Sequence, residues 1–296
     1  MNKLVFLLLI GLFCFPIIFP VIIEAITVGP VKLEISVDPG DIATGELFLM
    51  NDGEQTQTFY PVFETFIEEN GVKKFITDTK SDLANWFDLP SSVTLNSQGQ
   101  KNIPFTLRIP NNASPGGHFA VIWWSTASPE KLETKQVSIV TRAGILVYLR
   151  VSGDIKEEAT VPDFNTNKKI YWNPPVNFSI TLENSGNVYL KPVGTLLVKN
   201  IFGATKGEIL INQKTSLILP QSKKTFTDSW TFTGFTFGPY RANLDLVYGE
   251  SQYHIQKTLW FFILPLKITF IIFGIILAVF VIIPQYNKWL IRRYKS

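Results

Sequence analysis

Between Ile26 and Thr258, apolar side chains recur at every second position in short runs cut by turn residues. That period leaves little but β-structure open to the chain. Val31, Leu33, Ile35 and Val37 alternate with Lys32, Glu34, Ser36 and Asp38, and Ile103, Phe105, Leu107 and Ile109 alternate with Asn102, Pro104, Thr106 and Arg108. Val176, Phe178, Ile180 and Leu182 form a third such run, and Tyr240, Ala242, Leu244 and Leu246 a fourth. Successive strand side chains point to opposite faces, so each run has a dry side that a second sheet must cover. Pro39-Gly40, Asn51-Asp52-Gly53, Pro115-Gly116-Gly117, Asn184-Ser185-Gly186 and Gly238-Pro239 supply the turns. The pattern predicts an all-β chain of two tandem immunoglobulin-like β-sandwiches. The one cysteine, Cys14, lies outside this region, so the sandwiches have no disulfide to hold them. Their cores must suffice, and a chain that is 14% aromatic and 17% charged has the material.

The two sandwiches read as a repeat. Leu47 to Gly53 echoes Ile180 to Gly186, each ending in a turn that begins with asparagine. Val93 to Leu107 echoes Leu217 to Trp230, and Gly116 to Ala120 echoes Gly238 to Ala242. The spacing places extra residues in the first copy, within 64–90. The expected domains are 26–153 with that insertion, and 154–257.

The two ends differ in kind. Lys3, an apolar stretch from Leu4 to Ile23 and then Glu24-Ala25 describe a secretory signal over residues 1–25. Pro16 and Pro20 argue against a lasting helix there, and Phe13 is too bulky to precede a lipidated Cys14. From Leu259 to Ile283 only Lys267 and Thr269 interrupt an apolar run, followed by Lys288, Arg292, Arg293 and Lys295. A transmembrane helix is predicted over 258–284 and a basic cytoplasmic tail over 285–296, with Trp260 and Trp289 at the two interfaces. The expected location is therefore the cell membrane, crossed once, with the sandwiches outside.

This order of parts resembles the bacterial WxL-interacting protein family. The features that carry the likeness are Val37-Asp38-Pro39-Gly40, the strand and turn Leu47 to Gly53, Ile109-Pro110 followed by Gly116-Gly117, and the run Ala143 to Val151. The resemblance implies a peptidoglycan-binding first sandwich, a second sandwich that binds WxL-domain surface proteins, and a membrane anchor.

Little in the sequence points to catalysis. Six of the 27 basic residues and Glu24 among the 24 acids lie outside Ile26–Thr258, leaving that region about two charges negative and without a footprint for nucleic acid. His118 and His254 stand apart from other metal-ligating residues, and Asp38 with Asp41 is too few oxygens for calcium. Ser128-Pro129-Glu130-Lys131 spells Ser-x-x-Lys, but in a turn rather than at a helix start. Neither an enzyme nor a cofactor or metal site is expected.

The aromatics carry more information. Trp123 and Trp124 are neighbours on a strand, so one faces the core and the other needs a cover. The period does not say which. Either the insertion, with Trp86 and Phe87, packs over the outer face, or an aromatic platform stays open to glycan or protein. On the second reading Phe66, Trp86, Phe87 and Trp124 are the candidate ligand residues. The expected function is a membrane-anchored binding protein that holds cell-wall glycan, a surface protein or both. The alternative is a structural or chaperone-like scaffold that takes a partner by strand addition.

Overall fold

The computed structural model describes residues 25–69, 71–76, 82–130, 140–232 and 236–294. The expected signal segment lies outside them, apart from Ala25.

In the first sandwich the strands are β1 (Ile26–Gly29), β2 (Lys32–Val37), β3 (Ile42–Asn51), β4 (Gln57–Glu69) and β5 (Val72–Ile76). A short helix α1 (Asp82–Trp86) precedes β6 (Phe87–Asp88), β7 (Val93–Leu95), β8 (Gln100–Arg108), β9 (Gly116–Ser125) and β10 (Arg142–Val151). One sheet has the order β1-β3-β8-β6, and the facing sheet the order β2-β10-β9-β4-β5, with β7 beside β4. The N-terminal stretch switches sheets: β1 runs antiparallel to β3, whereas β2 runs parallel to β10.

The second sandwich contains β11 (Ala159–Thr166), β12 (Ile170–Tyr171), β13 (Val176–Asn184), β14 (Val193–Asn200), β15 (Thr205–Ile211), β16 (Ser222–Trp230), β17 (Gly238–Tyr248) and β18 (Tyr253–Ile263). Its sheets are β11-β13-β16 and β12-β18-β17-β14-β15. The alternation predicted from sequence fills both interiors. Ile103, Phe105 and Leu107 are buried in the first core; Val176, Phe178, Ile180, Leu182, Ala242, Leu244 and Leu246 are buried in the second. Val31 departs from its run, lying exposed between β1 and β2.

The repeat rests on a shared device. Asn51 and Asn184 are both buried. Each accepts a hydrogen bond on Oδ1 from the backbone two residues on, Gly53 N and Gly186 N, both at 3.0 Å. Nδ2 of Asn51 donates to the carbonyls of Gln55, Leu95 and Asn96, and Nδ2 of Asn184 to those of Val188 and Ile218. One side chain thus closes the turn and ties it to the strand opposite. Asn184→Ala should destabilise the second sandwich by about 1–3 kcal/mol, because the Val188 carbonyl loses the Asn184 donor, while the Ile218 carbonyl keeps only the Leu190 N–H. Urea unfolding of wild type and variant measures it; a loss under about 0.5 kcal/mol would mean that other donors serve those carbonyls.

The structure narrows one boundary and shifts another. β4 and β5 form a hairpin that matches β14 and β15 of the second sandwich, with β4 beside β9 as β14 is beside β17. The additional chain of the first copy therefore lies in the later part of 64–90, after Ile76, around α1 and β6. At the other end, β18 runs past Lys257 to Ile263, paired with β17 throughout, and helix α2 spans Leu266–Tyr294. Its apolar window, Phe270–Leu290, is long enough to cross a membrane, and none of it is buried against the rest of the chain. Trp260 accordingly lies on a strand, not on the helix.

The sandwiches are tied together along one seam. Phe66 and Tyr148 of the first bury against Leu217 and Leu219 of the second, with Phe119, Leu146 and Tyr189 packed around them. Lys224 reaches the buried Glu68 at 3.4 Å, and Lys191 reaches Glu34 at 2.9 Å. Arg150 pairs with Glu157 at 2.8 Å. Gly116 sits where the chains meet at φ +127, and a Cβ there would lie 2.9 Å from the Asn187 carbonyl oxygen. Only glycine suits that backbone and that approach.

Candidate functional site

The outer face of the β2-β10-β9-β4-β5 sheet carries the chemistry. Along β4, Glu64, Phe66 and Glu68 point outward; along β9, Phe119, Val121 and Trp123 do so. The second sandwich covers one half of this face through the seam. The other half is built around Trp123.

Trp124 is fully buried in the first core, which leaves its neighbour Trp123 on the outside, half exposed. The ring lies flat across Gly144, where a Cβ would come within 2.6 Å of its six-membered ring. On the same ring, the Arg142 guanidinium stands 4.6 Å from the centroid. Phe75 of β5 meets the ring edge-on at 5.2 Å. The indole N–H donates to Glu64 Oε2 at 2.7 Å, and Arg142 Nη1 donates to Glu64 Oε1 at 3.1 Å. Glu64 is buried, and it holds the tryptophan and the arginine in place together. An acid within the apolar run Val62 to Phe66 was the sequence signal for this group.

The four candidate ligand residues do not come together on this surface. Trp86, Phe87 and Trp124 are buried in the first core, with Phe87 against Phe63 and Phe105. Trp86 packs at 4.9 Å from His118, whose Nε2 lies 2.9 Å from the Ser114 carbonyl oxygen. Phe66 is buried in the seam beside Tyr148 and Phe119. Side chains so covered present no face to a ligand. The expectation that Trp86 and Phe87 lie over the outer face also gives way, because the gap between the sheets at β6 needed filling from inside. The cover over Trp123 is Phe75.

What remains open is the hairpin of β4 and β5. β5 ends its sheet, and among the described strands none pairs with its outer edge. Ile67, Val72, Phe75 and Ile76 are exposed there. Lys73 lies opposite Glu68 and Lys74 opposite Ile67, so two cations stand in the middle of the strand. Burial pushes the Lys73 ammonium below its usual range, with Lys224 and Lys32 acting in the same direction and Glu68 opposing them. An edge with open backbone groups and apolar side chains is a template for another strand. Lysines on it disfavour unselective pairing and suit an acidic partner.

Elsewhere the titratable groups serve structure. His254 Nδ1 is 3.1 Å from Asp245 on the surface. Asp41 accepts from the Asp38 backbone N–H at 2.9 Å, and Ser152 donates to Asp38, closing a turn at the seam. Among the described residues no group of three or more His, Cys, Asp or Glu side chains gathers as a metal site would require. Burial by itself would raise the Glu34 carboxyl, but hydrogen bonds and charge from Lys32 and Lys191 outweigh it and hold the group below its ordinary value of 4.5. A carboxyl lowered in the folded state contributes stability above its unfolded pKa, and that contribution is lost as pH falls through the folded one. Glu34→Gln should therefore weaken the seam at neutral pH and flatten the loss of stability below about pH 4.5. Urea midpoints across pH 3–7 test this, and parallel curves for variant and wild type would refute it.

No protein-family model matches the chain. No curated protein matches its sequence. Among solved structures it is similar to the class 5 fimbriae chaperone CfaA, at 14% identity over 82% of this chain and 100% of that one, with a TM-score of 0.42. It is also similar to the E. coli chaperone DraB, at 13% identity over 80% and 99% of the two chains, with a TM-score of 0.36. A PapD-like domain of human CEP192 matches at 14% identity over 46% of this chain and 91% of that one, with a TM-score of 0.27. Likenesses this distant say nothing about function.

Proposed function

We propose that this chain is a non-enzymatic membrane protein that binds an extended segment of a protein partner along β5, with its sandwiches outside the cell and α2 as anchor. The observation that supports it is the open edge of β5, with Val72, Phe75 and Ile76 exposed beside Lys73 and Lys74. Strand addition there would satisfy the edge amides and carbonyls and cover the apolar side chains in one step. The rigid seam behind the hairpin keeps that edge in one orientation, which lowers the entropy lost on binding.

Glycan stacking on Trp123 is the weaker reading. The ring lies against Gly144, carries the Arg142 guanidinium 4.6 Å from its centroid and meets Phe75 edge-on, which leaves less of it for a sugar. In the family that the order of parts resembles, a surface protein would be the partner and peptidoglycan a further ligand; both stay within the proposal. Lys288, at the end of the apolar window, and Arg292, Arg293 and Lys295 after it support an orientation with that end in the cytoplasm.

The test uses the full chain in nanodiscs, incubated with the surface-protein extract of its own cells and, separately, with purified peptidoglycan. Val72→Glu with Ile76→Glu changes two exposed positions and should cost little stability. The paired substitution is expected to abolish capture of a defined partner. Amide exchange across Val72–Ile76 should slow when that partner is bound. Capture that survives the substitution with no protection of β5 would reject the edge, and retention by peptidoglycan alone would favour the glycan reading.

A further inference from the structure

The end of the second sandwich from which α2 departs gathers exposed apolar side chains. β12 and β18 run towards it in parallel, Tyr171 level with Ile263, so Trp172 follows at that end. β14 runs the same way, Asn200 level with Tyr240 near the start of β17, so the turn Ile201-Phe202-Gly203 lies there too. Phe237 stands just before β17 and packs against Phe262 at 6.5 Å. Trp260, on β18 opposite Arg241, continues the row. Trp172, Ile201, Phe202, Phe237 and Trp260 are all exposed, Phe202 to 90%. Such side chains in one patch call for an apolar contact.

Chain connectivity names the contact. Only Leu264 and Pro265 separate β18 from α2. Two linking residues span at most about 10 Å from Ile263 to Leu266. The helix then rises about 6 Å to Phe270, where the apolar window begins. The headgroup layer on each side of a bilayer is about 5–8 Å thick. If α2 crosses the membrane, this end of the sandwich is held within about 16 Å of the hydrocarbon boundary, within reach of the headgroups. Lys168 and Lys169 are exposed in the turn before β12, and Lys206 in β15 just beyond the hairpin tip. Asp228 is set back on β16, two residues before Trp230. Tryptophan and phenylalanine among lysines is the composition that the interface of an anionic bilayer favours.

We propose that this end of the second sandwich is a lipid-docking surface, with Trp172, Ile201, Phe202, Phe237 and Trp260 seated in the interfacial layer of the bilayer that α2 crosses. The body then stands in a set orientation on the membrane rather than swinging on a tether, and the β5 edge is held out from it. This rests on the reading of α2 as an anchor, so the experiment separates the two.

Full-length chain carrying Cys14→Ser receives one cysteine, Phe202→Cys or Trp172→Cys, and a nitroxide label. It is placed one copy per nanodisc in phosphatidylcholine containing a minority of phosphatidylglycerol. Ser251→Cys, in the turn at the opposite end of the sandwich, reports water, and Leu277→Cys reports the helix. Labels at 202 and 172 should collide with aqueous chelated nickel several-fold less than the label at 251. They should also broaden strongly when nickel is chelated to lipid headgroups. Labels at 202 and 172 as accessible as the one at 251, with 277 shielded, would overturn the docking surface and leave the anchor standing. A label at 277 open to nickel would overturn both. With one copy per disc, shielding at 202 and 172 comes from lipid and not from a second chain.

Discussion

Replacing Trp124 by alanine is expected to destabilise the first sandwich by about 3–5 kcal/mol, the largest effect of any single core substitution in this chain. Trp124 is the largest side chain in the structure with no exposed surface, and it lies between the two sheets among Leu47, Phe105, Ile122 and Ile145. Alanine would leave a cavity that paired sheets cannot close, since strand positions are tied by ladders on both sides. Phenylalanine should cost far less. The Trp124 indole N–H is buried without a hydrogen-bond partner, so losing it relieves an unmet donor while the ring keeps most of its contacts. Urea unfolding of wild type, Trp124→Ala and Trp124→Phe provides the comparison. If the phenylalanine variant lost as much as the alanine variant, an acceptor for that N–H would have to exist in the folded chain.

The second large effect is expected at the seam. The Glu68 side chain is 1% exposed and Lys224 Nζ lies 3.4 Å from it across the domain boundary. Lys224→Met strands that carboxylate in a closed interface, and breaking a buried pair from one side costs about 3–5 kcal/mol. The low end of that range is expected, because Lys73 opposite Glu68 on β5 offsets part of the charge. Exchange of amides along β4 and β16 should accelerate in the variant, reporting separation of the two sandwiches. Replacing both partners, Glu68→Leu with Lys224→Met, should recover most of the loss, since Phe66, Leu217 and Leu219 offer apolar neighbours. A double variant as weak as the single one would show that the pair orders the seam by more than its charge balance.

The alternation of apolar residues was enough to place most strands, and the matching asparagine turns were enough to show two copies of one domain. Both signals are local: side chains point to alternate faces by backbone geometry alone, and a turn asparagine bonds to residues close in sequence. The apolar window of α2 was legible for the same reason, since length and composition decide whether a helix can cross a bilayer. The Trp123-Trp124 pair marks where local information stops. Opposite faces were certain from the period, but the choice of inner face depended on which sheet came to lie opposite.

Trp86 and Phe87 show the same limit. Their composition suited a binding loop, yet the space between β8 and β9 had to be filled, and side chains from the additional segment were within reach. Leu259 to Ile263 is apolar throughout and was expected to open the transmembrane helix, since such a run carries no period that separates helix from strand. Pairing with β17, with Gly238 opposite Ile263, decided for strand and moved Trp260 onto the sandwich. The seam was beyond any local signal. Glu34 meets Lys191, and Glu68 meets Lys224, across more than a hundred and fifty residues of chain. The sequence by itself determined most of the strands, their alternation and the apolar window of α2. The tertiary structure alone decided which dry sides face one another, because burial is a property of the neighbour as much as of the residue.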